Sequence, residues 1–88
     1  MDSKYQFSNH VNEVIQKREL QANWVLETIE HYDYKNESSK VEVHYFKRIK
    51  DRDNRCLKVV LNPVFNKIIT AYFDRKATKK DVKNENKL

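Results

Sequence analysis

The sequence predicts one small α+β domain, in which two N-terminal helices pack on a three-stranded antiparallel meander sheet. Apolar residues repeat at helical spacing up to about residue 31, and they alternate at every second position from residue 40 onward. The chain has 88 residues, enough for one modest core. We expect the domain to span residues 1–76. A basic, mobile tail is predicted at 77–88, because this segment has almost no apolar area to bury.

Two short helices are predicted in the first third of the chain. Ser8 precedes a helical repeat and is typical of an N-cap residue, so the first helix is expected at about residues 9–18. The second helix, at about residues 21–31, places its apolar side chains on one stripe beside Trp24. The polar stretch 32–39 is expected to be a loop.

Three strands are predicted after this loop, at about residues 40–49, 56–61 and 67–74. Turns are expected between them, and Asn66 is expected to adopt a positive φ in a chain that has no glycine. The face expected under the helices consists of alternate residues of the second and third strands: Leu57, Val59, Leu61, Ile69, Ala71 and Phe73. The opposite face is the one on which we expect function.

Charge is divided unevenly along the chain, whose net charge is +5. Residues 1–39 carry four Lys or Arg against seven carboxylates, a net charge of −3, whereas residues 40–88 carry fourteen against six, a net charge of +8. Clustered cations favour binding to phosphates, because binding releases counterions. A solubilising surface with a basic tail explains the same asymmetry, and both interpretations stay open.

The sequence also bears on the compartment. No apolar run approaches the roughly 20 residues needed to span a bilayer, and the first residues lack the basic and then apolar order of a signal peptide. The single Cys56 has no partner for an internal disulfide. We therefore expect a cytoplasmic protein without membrane association.

Five stretches of sequence point to a known family. They are Ser8-Asn9-His10 with Arg18, Trp24-Val25-Leu26-Glu27, His44-Tyr45-Phe46-Lys47-Arg48, Leu57 to Pro63, and Thr70-Ala71-Tyr72-Phe73-Asp74-Arg75-Lys76. In this order, over about residues 7–76, they resemble small bacterial proteins related to the BrnT toxins and, more distantly, to the RelE/ParE toxin superfamily. The resemblance implies a RelE/ParE-like fold and the toxin of a type II toxin–antitoxin pair. Such a toxin is a metal-independent endoribonuclease that a small acidic antitoxin protein holds inactive.

RNA cleavage without a metal needs a base near the 2′-hydroxyl, cations for the developing charge and an acid for the leaving oxygen. The expected catalytic residues are His10, His44, Arg48, Tyr72 and Arg75. The expected RNA-binding residues are Arg18, Phe46, Lys47, Lys58 and Lys76. The same histidines are typical of surface or capping positions, the same cations of solvated strand ends, and the same aromatic side chains of packing across a sheet.

No cofactor or metal is expected. The three histidines and Cys56 lack the closely spaced pairs of structural zinc sites, and the chain has no phosphate-binding glycine motif. Two other functions remain open. One is an inactive relative that binds nucleic acid or protein, which is favoured by Val14 at a position where family members often have Arg. The other is a toxin that acts on a protein such as gyrase, as ParE-like relatives do.

Overall fold

One mixed sheet organises the chain in the computed structural model, which describes residues 4–78. The elements in chain order are β1 Gln6–Phe7, α1 Asn9–Lys17, α2 Ala22–Glu30, β2 Tyr34–Ser39, β3 Glu42–Ile49, a 3₁₀ helix Lys50–Arg52, β4 Arg55–Asn62 and β5 Lys67–Phe73. The strand order is β1-β5-β4-β3-β2, and all neighbours are antiparallel except β1, which is parallel to β5.

The expected RelE/ParE-like architecture of two helices on a three-stranded antiparallel sheet is therefore wrong. Across residues 4–78 the sheet has five strands, and one pairing is parallel. The segment expected to be a loop forms β2, whose six residues are all exposed. β2 is joined to β3 by the antiparallel backbone ladder, and side-chain pairs across it, such as the stacked rings of Tyr34 and Phe46, stabilise the strand without burying it. β1 has only two residues, too few to leave an alternating pattern.

The start of α1 is fixed to the sheet by Ser8. The backbone N–H of Val11 donates a 3.0 Å hydrogen bond to Ser8 Oγ, which confirms the predicted N-cap. The same hydroxyl donates to the main-chain carbonyl of Ile69 at 3.0 Å, and this bond joins the helix to β5. After α1 ends, Glu19 reverses the chain with a φ of 55°.

The core lies between the two α-helices and one face of the sheet, which we call the helix side. Its members are Val11, Leu20, Trp24, Val25, Ile29, Ile49, Leu57, Val59, Leu61, Ile68 and Ala71. The expected inward position of Ile69 is wrong. The register shifts between Val60 opposite Thr70 and Leu61 opposite Ile68, so Ile69 is the extra residue of a bulge. Ile68 takes the core position and is fully buried.

The turns between the strands rely on non-glycine residues with positive φ. Asn66 has a φ of 52°, as predicted, and Asp53 and Asn54 adopt 56° and 57° in the connection from β3 to β4. Asparagine and aspartate tolerate this region because their short side chains bond to the local backbone.

A helical turn at residues 75–78 ends the described part of the chain. Asp74 Oδ1 accepts the N–H of Ala77 at 2.9 Å, and Ala77 is buried against Phe46 and Cys56. The first two residues of the predicted tail, 77 and 78, thus belong to the packed structure, and its remainder lies outside the described residues. In the described region, no helix is long and apolar enough to cross a membrane.

Candidate nucleic-acid interface

Alternate residues of four strands share the face of the sheet opposite both α-helices, which we call the outer face. Leu57, Val59 and Leu61 point into the helix-side core, so the residues between them point to the outer face. The strand register extends this assignment to the neighbouring strands. Outer-face residues include Tyr34, Asn36, Glu42, His44, Phe46, Arg48, Cys56, Lys58, Val60, Thr70 and Tyr72.

Four of these residues form a line across the sheet, which we call the aromatic row: Tyr34, Phe46, Lys58 and Tyr72. Each one lies directly opposite the next in the strand register. The rings of Tyr34 and Phe46 stack with centroids 4.5 Å apart and planes 9° apart. Phe46 is only 8% exposed, whereas Tyr34 is 38% exposed. Phe46 is therefore a buried ring on which Tyr34 stacks, and Tyr34 is the exposed ring at the end of the row.

Lys58 places a positive charge between the aromatic rings of the row. Its Nζ lies 5.8 Å from the ring centroid of Phe46 and 5.5 Å from that of Tyr72. Both distances fall within the range of cation–π contacts, about 6 Å. Among residues 4–78 Lys58 forms no ion pair, so its charge remains available to an anion.

His44 lies on the outer face, two residues before Phe46 in β3. Its Nε2 is 2.9 Å from Glu42 Oε1, and its side chain is 18% exposed. A carboxylate at this distance fixes the orientation of the imidazole. The pair is the arrangement on this face best suited to proton transfer.

Arg48 also lies on the outer face, but its guanidinium binds the protein itself. Nη2 donates to the main-chain carbonyl of Thr78 at 2.7 Å, and Nη1 donates to the carbonyl of Asn54. The backbone N–H of Arg48 donates to Asp33 Oδ2 at 2.9 Å. These bonds give Arg48 a structural role that the sequence does not reveal.

Arg75 and Lys76 are exposed in the final helical turn. Arg75 lines a cavity of about 410 Å³ together with Arg55, Phe73, Asp74 and Thr78.

The remaining predicted site residues lie away from the outer face. His10 is exposed in the first turn of α1, and Arg18 is exposed at the end of that helix, both on the helix side. Lys47 points to the helix side as well, where it lines a cavity of about 350 Å³ with Trp24 and Glu27. The expected convergence of His10 and His44 on one site is therefore not observed.

Two residues of the candidate site, Tyr34 and Arg55, are not predicted by the sequence. Tyr34 lies in the stretch 32–39 that is predicted to be a loop, and its signal in the sequence is an aromatic side chain that, with Tyr32, stands among polar residues. Arg55 sits at the boundary between a turn and a strand. Its guanidinium carbon lies 4.6 Å from the ring centroid of Phe73.

Two side chains on the helix side of β2 and β3 have shifted pKa values. The charge of Tyr32 is the main cause that raises the pKa of Lys35, whose Nζ lies 5.6 Å from the Tyr32 ring centroid. Burial raises the pKa of the Tyr45 phenol. Within residues 4–78, no three His, Cys, Asp or Glu side chains are grouped as metal ligands.

A comparison with known protein families matches residues 7–73 to a family described as "Domain of unknown function (DUF4258)". The chain belongs to the DUF4258 family. The DUF4258 match runs from β1 to the end of β5, so it contains the whole aromatic row and His44, while Arg75 and Lys76 follow it. No curated protein matches the chain, and no solved structure matches it.

Proposed function

We propose that this protein binds single-stranded RNA on its outer face and acts as the toxin of a toxin–antitoxin pair. The observation that carries the proposal is the aromatic row, in which Lys58 lies between the rings of Phe46 and Tyr72. Aromatic side chains on a sheet are the usual platform for unpaired bases, and a nearby cation binds the phosphates between those bases.

The row has the chemistry for two kinds of contact. Tyr34 and Tyr72 each offer a ring for a base, and stacking of this kind contributes about 1–3 kcal/mol per base. Lys58 offers an ammonium group without an ion pair in the described part of the chain. Because stacking tolerates any base, we expect binding with little sequence preference.

The toxin assignment rests on the resemblance to BrnT-related and RelE/ParE toxins and on the +8 net charge of residues 40–88. A toxin tolerated by its host needs a partner that masks it, and opposite charge speeds association. We propose a small acidic antitoxin that covers the outer face. RNA as the target and the lone Cys56 thiol both agree with action in the cytoplasm.

RNA cleavage is the second candidate function, and the 2.9 Å contact between His44 and Glu42 favours it. In this proposal His44 exchanges the proton, while Lys58 and Tyr72 stabilise charge and orient the substrate. His10 and Arg48 have no part in this version, because His10 lies on the helix side and Arg48 binds main-chain carbonyls.

The test measures binding of a fluorescein-labelled oligouridine by anisotropy, at low and at moderate salt. We expect affinity to fall steeply with salt, and Lys58→Gln to weaken binding and reduce the salt slope. Lys17→Gln, which removes an equal charge at the end of α1, serves as the matched control. The binding proposal would be overturned if the affinity for oligouridine changed neither with salt nor with Lys58→Gln.

Cleavage is assayed separately on a longer defined RNA. Wild-type protein is expected to cut it and to arrest growth when expressed, and His44→Ala is expected to remove both effects while RNA binding persists. Binding without any cleavage by the wild type would leave a binding protein and end the enzyme proposal.

A further inference from the structure

We propose that Arg55 and Arg75 form a site for a phosphate group, and that this site takes a phosphate of the RNA strand bound on the aromatic row. The origin of the phosphate rests on the proposed function. The site itself depends only on the geometry at the end of β4 and β5.

The cavity of about 410 Å³ brings the two arginines together. Its volume falls in the usual range for small-ligand pockets, roughly 300–1,000 Å³. Arg55 begins β4 and Arg75 follows β5 by two residues, and these strands are antiparallel with Leu57 opposite Phe73. Continuing this register by two positions brings Arg55 and Arg75 to the same end of the sheet, on adjacent strands.

The ring of Phe73 holds Arg55 in place without using its hydrogen-bond donors. The guanidinium carbon lies 4.6 Å from the ring centroid, and the Phe73 ring meets the Trp24 ring edge-on at 6.4 Å. A guanidinium over an aromatic ring keeps its N–H groups for an anion, and paired N–H groups match two phosphate oxygens. Arg55 is thus orientated before any ligand binds.

Neither arginine is neutralised by the part of the protein that the structure describes. Arg55 and Arg75 form no ion pair there, and neither guanidinium donates a hydrogen bond. Arg48 and Arg52 differ, because each donates to a main-chain carbonyl. Two positive charges at one cavity without a bound carboxylate favour an anionic ligand.

Asp74 also lines the cavity and opposes an anion, but one of its oxygens is occupied. Its Oδ1 accepts the N–H of Ala77 at 2.9 Å and so caps the final helical turn. The two arginines outweigh this single charge. Asp74→Asn keeps an oxygen for the cap and removes the negative charge. An anionic ligand should therefore bind this variant more tightly than the wild type, and a cationic ligand less tightly.

The site lies at the end of β4 and β5, beyond the aromatic row, but the two use different faces of the sheet. Arg55 lies over Phe73 on the helix side, whereas Lys58 and Tyr72 point to the outer face. Lys58 is three residues from Arg55 along the chain, and Tyr72 is three residues from Arg75. At about 3.3 Å per residue this separation is about 10 Å. Thr78 also lines the cavity and accepts a hydrogen bond from Arg48 of the outer face, so the cavity is reached around this end of the sheet. An RNA strand that stacks on the row and passes around the start of β4 brings a phosphate to the cavity.

The first arm of the test uses inorganic phosphate and the full ¹⁵N-labelled chain, with the arginine Nε–H resonances followed by NMR. We expect the resonances of Arg55 and Arg75 to shift and saturate. Arg55→Gln and Arg75→Gln should each weaken phosphate binding about tenfold, as expected for losing a hydrogen bond to a charged group. Asp74→Asn should strengthen it about twofold to fivefold, and Lys17→Gln should leave it unchanged.

The second arm measures oligouridine binding by the same variants, each first checked for unchanged thermal unfolding. We expect the two arginine variants to lose about tenfold in RNA affinity as well. Phosphate binding in the expected order without RNA binding supports the site and removes only the proposed function. Three results would overturn the inference. The first is that phosphate leaves the Nε–H resonances of both Arg55 and Arg75 unshifted. The second is that Asp74→Asn weakens phosphate binding, and the third is that both arginine variants bind RNA as tightly as the wild type.

Discussion

Nη2 of Arg48 donates a 2.7 Å hydrogen bond to the main-chain carbonyl of Thr78, 30 positions later in the chain. Its Nη1 donates to the carbonyl of Asn54, and Thr78 Oγ1 accepts the N–H of Cys56 at 2.8 Å. Arg48 therefore joins β3, the connection to β4 and the final helical turn. Its place on the outer face is explained by these bonds without any contact to RNA.

Arg48→Gln is expected to lower the free energy of unfolding by about 1.5–3 kcal/mol, because it removes hydrogen bonds from a charged donor. Urea denaturation measures the change. Lys50→Gln, an exposed change in the adjacent 3₁₀ helix, is the control and should stay within about 0.5 kcal/mol of the wild type. Unchanged stability together with lost RNA binding would instead give Arg48 the role in RNA chemistry that the sequence predicts.

Two adjacent isoleucines test the position of the bulge in β5. Ile68 is fully buried in the core, while Ile69 is only half-buried at the bulge. Ile68→Ala should therefore cost about 2–5 kcal/mol of the free energy of unfolding, and Ile69→Ala clearly less. Denaturant unfolding of the two variants makes the comparison. The reverse order would restore the regular alternation that places Ile69 under the helices.

Stability at alkaline pH should depend on Tyr45. Burial raises the pKa of its phenol. A group whose folded-state pKa is raised contributes stability that is fully present below the unfolded value, about 10 for tyrosine, and is lost as pH rises through the folded-state pKa. The wild type should thus lose more free energy of unfolding than Tyr45→Phe between about pH 9 and pH 11. A parallel decline in the two proteins would show that Tyr45 titrates as it does in the unfolded chain.

Local patterns account for the parts of the fold that bury apolar side chains. Ser8 and the apolar stripe of α2 locate the helices, and the alternation of Leu57 and Val59 locates β4, because these residues are inward-facing. β2 has no inward-facing apolar pattern, since all six of its residues are exposed. Its pairing depends on partners in β3 that only the tertiary structure supplies.

Some residues of the candidate site can likewise be placed from local sequence patterns, and others cannot. The period of two in β3 and β4 is enough to place His44, Phe46 and Lys58 on one face. No local pattern tells which side of the sheet the start of α1 occupies, and for this reason the sequence alone groups His10 with a face that it does not reach. Nor does a pattern tell that Arg48 binds a carbonyl 30 positions away.

The last prediction concerns Tyr34 and Tyr32, two tyrosines of similar exposure on opposite faces of the sheet. Tyr34 is 38% exposed and stacks on Phe46 in the aromatic row, whereas Tyr32 is 41% exposed and contacts Tyr45 on the helix side, with ring centroids 5.3 Å apart. If bases stack on the row, Tyr34→Ala should weaken oligouridine binding by about 1–3 kcal/mol. Tyr32→Ala should leave the affinity nearly unchanged. Anisotropy titrations measure both, after circular dichroism has shown that each variant keeps its sheet. Equal losses in the two variants would indicate a general effect on β2, and a loss in Tyr32→Ala alone would move the RNA-binding surface to the helix side.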